Sequence, residues 1–263
     1  YETSILDSMP LLTKLSVLIG VAAFAFLLAR RSYQWAIWIA IATTMLVGMQ
    51  PYIRGYACYG RVDPQTTFAY AQVLETSGHT WRDDIYPALL SLLVQLSLHL
   101  RIPLVTELPL WAGIQYLAWL AIIWLGAVAF KFSEQRTCIA VVLGTIPILT
   151  KYHFSLYPNA YGVLVLVFLV LLILAEPSMG TRILFIGGLV LLPYAHPTVT
   201  LFALGLFFVL FAATKVLPLL KQAAMSVRKV SLPLATPVIV AIAFLAWGLN
   251  FRQIQVNLAG VCG

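Results

Sequence analysis

Charge is what this chain has least of. Only 10% of its 263 residues are Asp, Glu, Lys or Arg, while 62% are hydrophobic. Soluble domains carry about 25% charged residues, so the composition argues against a water-soluble globular enzyme and for a polytopic membrane protein. Cysteine is scarce too: Cys58, Cys138 and Cys262 are the whole set, and they show no metal-ligand spacing. No nucleophile elbow, phosphate-binding glycine loop or zinc motif occurs. Internal repeats of solenoid period and low-complexity linkers are also absent. Acidic residues number nine against 16 Lys and Arg, a net charge of +7. In a soluble protein that excess would favour nucleic acid. Here most of it lies between apolar runs, where it reads as topology, and no nucleic-acid partner is expected. The chain begins at Tyr1 with no charged leader and cleavage site, which reads as trimming or processing.

What the chain does have is a ladder of apolar segments. A bilayer span needs about 20 mostly apolar residues. The runs 11–29, 35–49, 108–130, 138–150, 161–175, 183–194, 199–213 and 235–249 are the expected spans. Lys14 lies near one end of the first and is placed to snorkel. The expected fold is an all-α polytopic membrane protein with about eight transmembrane helices. Two N-terminal spans fill 1–50, and an external loop with two juxtamembrane helices fills 51–107. A six-helix bundle follows over 108–250, and 251–263 is an external end.

Segment 85–100 decides the topology, because it is apolar but short. If it stays out of the bilayer core, nine Lys and Arg fall on the cytoplasmic side against six outside. If it crosses, the split is five against ten. The positive-inside rule favours the first arrangement, so 85–100 reads as a helix along the external interface. That choice gathers Asp63, Asp83, Asp84, Glu107, Lys151, His153, Asn159 and His196 on one external face. Cys58 and Cys262 fall there as well, so a disulfide between them is allowed, though no spacing sets their distance.

The long polar stretch 49–107 holds five of the nine acids: Asp63, Glu75, Asp83, Asp84 and Glu107. Asp63-Pro64 reads as a helix start, with Asp a preferred N-cap and Pro tolerated at the first helical position. The helix is expected to run to Ser77 and stop at Gly78, with Phe68, Ala71, Leu74 and Val73 on its apolar face. Asp63 has two compatible readings, a helix cap and an external general base or metal ligand. Arg82-Asp83-Asp84 reads either as a solvated loop or as a divalent-metal and phosphate site, since carboxylates suit Mg²⁺ and Mn²⁺. Lys151 and His153 suit a lipid phosphate or an ordinary interfacial anchor. His196-Pro197 reads as a tight turn between two helices, with ligand binding as its functional alternative.

The order of these features resembles the GT-C superfamily of polyprenyl-phosphate-sugar glycosyltransferases, over roughly 49–213. Val62-Asp63-Pro64 looks like the acidic motif of that family's first external loop. Ile85-Tyr86-Pro87 looks like the start of its second juxtamembrane helix. The stretch from Pro147 to His153, with Tyr157-Pro158-Asn159, sits where the family places its second external loop. The resemblance implies Asp63 as the catalytic carboxylate. It also implies a divalent metal (Mg²⁺ or Mn²⁺), for which Asp63 and the Asp83-Asp84 pair read above are the candidate ligands. Arg61, Arg82, Lys151, His153, Asn159 and His196 would bind an isoprenoid-phosphate lipid in a plasma or endoplasmic-reticulum membrane, facing away from the cytoplasm. Where the family's second loop usually carries an acid this chain has Asn159, and Gly263 precedes the later spans and soluble domain of many members. These departures motivate the alternative, a non-catalytic membrane subunit or lipid-binding scaffold that packs against other membrane subunits.

Overall fold

The structure is a computed structural model that describes residues 9–55, 63–79, 86–145, 157–174, 178–216 and 233–250. The side chains of 63, 64, 214–216 and 250 fall outside that description, as do Cys58 and Cys262. Among the described residues every regular element is an α-helix, so the all-α expectation holds. In chain order they are α1 (Leu11–Ala29), α2 (Tyr33–Gly48), α3 (Gln50–Ile53), α4 (Asp63–Ser77), α5 (Pro87–Leu100) and α6 (Leu104–Ala129). After them come α7 (Glu134–Thr145), α8 (Pro158–Leu174), α9 (Met179–Ala195), α10 (Pro197–Val216) and α11 (Ala235–Asn250). Two of these, α1 with 19 residues and α6 with 26, are long and apolar enough to cross a membrane.

The chain divides into two compact units, Tyr1–Phe68 with Ser97–Tyr157 and Ala69–Leu96 with Pro158–Gly263. In the first, α1 packs on α2, α2 on α7, and α6 on α7. Small residues permit the close approaches. A Cβ on Gly20 of α1 would run into Thr43 of α2, and one on Gly144 of α7 would run into Ile123 of α6. Association through small residues is how apolar helices pack when lipid tails are as apolar as their side chains. In the second unit α8, α9 and α10 pack on one another, and α11 packs on α9 and α10. Gly188 of α9 faces Leu169 of α8, whose Cδ2 would lie 2.8 Å from an added Cβ.

Helix ends follow from local chemistry. Ser178 and Thr181 cap α9 reciprocally: the Thr181 N–H donates to Ser178 Oγ at 3.1 Å, and the Ser178 N–H to Thr181 Oγ1 at 2.7 Å. That closes two of the amides a helix start leaves open. At the end of α1, the Arg31 N–H donates to Leu28 O and the Ser32 N–H to Leu27 O, both at 2.9 Å. The pair of bonds is a Schellman turn, with Arg31 left-handed at φ 58°. At the end of α6 the same pair links Lys131 N to Val128 O and Phe132 N to Ala127 O, with Lys131 at φ 53°.

The interior is apolar, as in a water-soluble bundle, but the outer faces are apolar as well. Along α11, Val240, Ala243 and Trp247 are buried, yet Val238, Ile242, Leu245 and Leu249 form a second stripe exposed by 45–63%. A soluble helix would put charge on that outer face. On α10 Phe202 and Phe208 stand 72% and 62% exposed. No residue of α1 is buried.

Candidate functional site

The site begins with the two short helices of the polar stretch. Helix α4 starts at Asp63 and ends at Ser77, as the Asp-Pro start and the glycine stop lead one to expect. Gly78 takes φ 70°, and its N–H donates to Leu74 O at 2.9 Å. Thr67 and Ala71 are its buried positions, with Phe68, Val73 and Leu74 half-buried beside them. Helix α5 follows Tyr86 and opens on Pro87. Its buried stripe is Leu89, Leu90, Leu93, Val94 and Ser97, while Leu92 and Leu98 face outward. At 15 and 14 residues, α4 and α5 extend only about 22 Å and about 21 Å. A hydrocarbon core is about 30 Å thick.

Two of the site residues expected from sequence have described side chains, Asn159 and His196. Asn159 is exposed in the first turn of α8. His196 sits between α9 and α10 with 4% of its surface exposed. Its extended backbone, φ −165° and ψ 113°, ends the first helix and starts the second. The His196 N–H donates to Leu192 O at 2.9 Å, and His196 O accepts from Thr200 N and from Thr200 Oγ1, both at 3.0 Å. Nδ1 accepts from the Val199 N–H at 3.3 Å. Histidine thus takes the N-cap role usually given to Ser or Asp, just ahead of Pro197 at the first helical position.

That bond sets the tautomer. A Nδ1 that accepts carries no proton, so the neutral ring holds its proton on Nε2. Burial pushes the His196 pKa below its ordinary value, which favours the same neutral form. The Tyr86 ring stacks on the imidazole, centroids 4.9 Å apart and planes 18° from parallel. On another side Gly162 of α8 comes so close that an added Cβ would lie 2.5 Å from His196 Cβ. The ring is therefore held in place in an uncharged form with its proton on Nε2, which could donate to an oxygen but could not neutralise a phosphate. Asn159 lies one turn before Gly162, near this place but not bonded to His196 among the described residues.

Asp63 is described only through its backbone, and Arg61, Arg82, Asp83, Asp84, Lys151 and His153 lie outside the described residues. Among the described residues no three His, Cys, Asp or Glu side chains come together as a metal set. Sequence reasoning placed Glu107 in the external stretch. In the structure it belongs to the first turn of α6 and is fully buried. Trp111, Gln115 and Trp119 follow it at intervals of four, one polar-edged stripe of a helix, with Trp111 and Gln115 also buried. The spacing itself was the available signal. Helix α6 starts at Leu104, ahead of the expected 108, because Pro103 caps it and Pro109 is carried inside.

The chain matches no protein-family model, no curated protein and no solved structure.

Proposed function

We propose that the chain is a polytopic membrane protein of about eight spans that transfers a sugar from a polyprenyl-phosphate donor to an acceptor on the non-cytoplasmic side. The membrane part rests on the outward-facing Leu, Ile, Val and Phe of α9, α10 and α11, which water would penalise and lipid would not. The observation that carries the catalytic part is the pair α4 and α5. Both helices are short and buried along one face, and they open at Asp63-Pro64 and at Tyr86-Pro87, the arrangement the family resemblance implies. In this reading the acceptor oxygen attacks the anomeric carbon and the carbon–oxygen bond to the phosphate breaks. Asp63 takes the acceptor's proton, while Arg61, Arg82, Lys151 and His153 hold the departing lipid phosphate. His196 donates Nε2–H to a donor or acceptor oxygen. A divalent ion on Asp63, Asp83 and Asp84 remains part of the proposal; all three carboxylates lie outside the described side chains, and no step is routed through it.

The test is transfer from a labelled polyprenyl-phosphate sugar in membranes containing wild type, Asp63→Ala or Asp63→Asn. Both variants should extract and fold like wild type and lose transfer by at least about 100-fold, the scale of a general base. Transfer at the wild-type rate by Asp63→Ala would reject the mechanism. A non-catalytic, lipid-binding subunit is the second reading, favoured by the exposed amide Asn159 where the family usually has an acid. Stoichiometric co-purifying subunits with no transfer by wild type would select it.

A further inference from the structure

We propose that one end of the first unit, bearing Arg30, Arg31, Lys131 and Arg136, docks against anionic phospholipid headgroups. The inference rests on the membrane reading above and is independent of glycosyl transfer. Its starting point is the direction of two helices. Thr44 of α2 lies beside Tyr116 of α6. The next residue, Met45, brings its Cε to 3.0 Å from where a Cβ on Gly113 would stand. These contacts mark where α2 and α6 meet, and the membrane reading, in which 85–100 does not cross, makes the two run in opposite directions with the α1–α2 and α6–α7 turns on one side.

From that contact Arg31 lies roughly 13 residues back along α2 and Lys131 roughly 15 residues on along α6. At 1.5 Å per residue these are about 20 Å and about 22 Å. The α1–α2 turn and the α6–α7 turn therefore reach the same level. Gly20 against Thr43 and Gly144 against Ile123 hold the two hairpins closed behind them. Both turns place a basic residue left-handed, Arg31 at φ 58° and Lys131 at φ 53°, where glycine is the low-cost choice.

The level so defined is strongly cationic. Arg30, Arg31, Lys131 and Arg136 are all exposed, and against them the described part of this end holds one acid, Glu134. The Arg30 guanidinium lies 5.4 Å over the Phe26 ring, which fixes one of the charges. Trp38 and Trp124, 61% and 49% exposed, each sit one step below their cation, about 10 Å toward the helix centres. Phe130 and Phe132 bracket Lys131 and are 60% and 43% exposed. Cations at one level with indoles just beneath match a headgroup layer, with phosphates outside and a polar–apolar boundary below. An acidic protein would not require the tryptophan tier.

The experiment uses the whole chain in detergent, exchanged into mixtures of phosphatidylcholine and phosphatidylglycerol, with retained lipid counted by native mass spectrometry. Wild type should retain phosphatidylglycerol preferentially, and each cation replaced in Arg31→Gln, Lys131→Gln and the double variant should lower that preference about fivefold, the equivalent of about 1 kcal/mol per basic residue. Arg101→Gln is the control, with the same left-handed turn (φ 54°) at the other end of α6, about 39 Å away. Its preference should stay at the wild-type value. If the double variant fails to fold, wild type at raised salt takes its place, and the preference must fall with ionic strength. No preference in wild type, an equal loss in Arg101→Gln, or indifference to salt and substitution would each overturn the proposal. A chain that stays soluble and monodisperse without detergent would instead defeat the membrane reading beneath it.

Discussion

Replacing Gly162 with alanine puts one methyl group at the tightest of the second unit's described glycines. The added Cβ would stand 2.5 Å from His196 Cβ and 3.2 Å from Val199 Cγ2. Carbon atoms settle at about 3.5–4.0 Å, so the first contact is short by about 1 Å. His196 has little room to yield, since its N–H is held by Leu192 O and its Nδ1 by the Val199 N–H. Either α8 shifts away from the α9–α10 turn or the cap opens. Overpacking costs about 1–3 kcal/mol, and losing a cap adds about 1 kcal/mol. The better helix propensity of alanine returns about 1 kcal/mol, leaving a net loss of about 1–3 kcal/mol. Thermal unfolding in detergent should register it at about 2–4 °C per kcal/mol. Gly187→Ala and Gly205→Ala are the matched comparison, because nothing lies within 4 Å of an added Cβ at either position. Those two should melt at or slightly above wild type. A Gly162→Ala protein as stable as Gly187→Ala would show that α8 does not press on His196 as described.

Three further outcomes follow from the same geometry. The His196 pKa is lowered by burial, so between its folded value and its unfolded value of about 6.5 the unfolded chain binds more protons. Stability should therefore be fully present above about pH 6.5 and decline on acidification until the folded value is passed. His196→Asn, which keeps an N-cap but does not titrate, should flatten that part of a melting-temperature-against-pH curve. Ser178→Ala removes the oxygen that accepts from the Thr181 N–H at the start of α9, leaves the backbone N–H of 178 on Thr181 Oγ1, and should cost about 1 kcal/mol by the same thermal assay, with a wild-type result refuting the cap. Arg31→Gly relieves a left-handed arginine while removing a cation: its melting temperature should rise as its phosphatidylglycerol preference falls, and movement of both in the same direction would refute the separation.

Much of the helix plan was legible from apolar run length. The span expected at 11–29 is α1 to the residue, and the start at Asp63-Pro64 and the stop at Gly78 needed only the backbone preferences of those residues. Where the plan failed, polar or proline residues had been taken as punctuation. Glu107 closes the polar stretch in the sequence reading, but a helix entered through Pro103 carries it in its first turn. The start of α9 moved from 183 to Met179 because its cap pairs serine with threonine rather than with Glu or Gln. The His196 turn was readable from His-Pro between two apolar runs. Its stacking partner Tyr86 was not, because contacts between residues far apart in the chain leave no trace in a lone sequence. For the carboxylates, residue type and order were legible, but geometry belongs to side chains beyond those described.

The left-handed Arg31 and Lys131 at the two hairpin turns have a mechanical corollary. A pair of apolar helices in lipid has little to prevent it from creeping along the bilayer normal, since one leucine is as comfortable as the next. In the membrane reading proposed above, a cation pinned at the bend would work as a depth stop. Sinking the α1–α2 or α6–α7 bend into the hydrocarbon would carry Arg31 or Lys131 along, at about 2.5–3.5 kcal/mol each near the midplane. Bends built on glycine would be easier to form and would have no such stop.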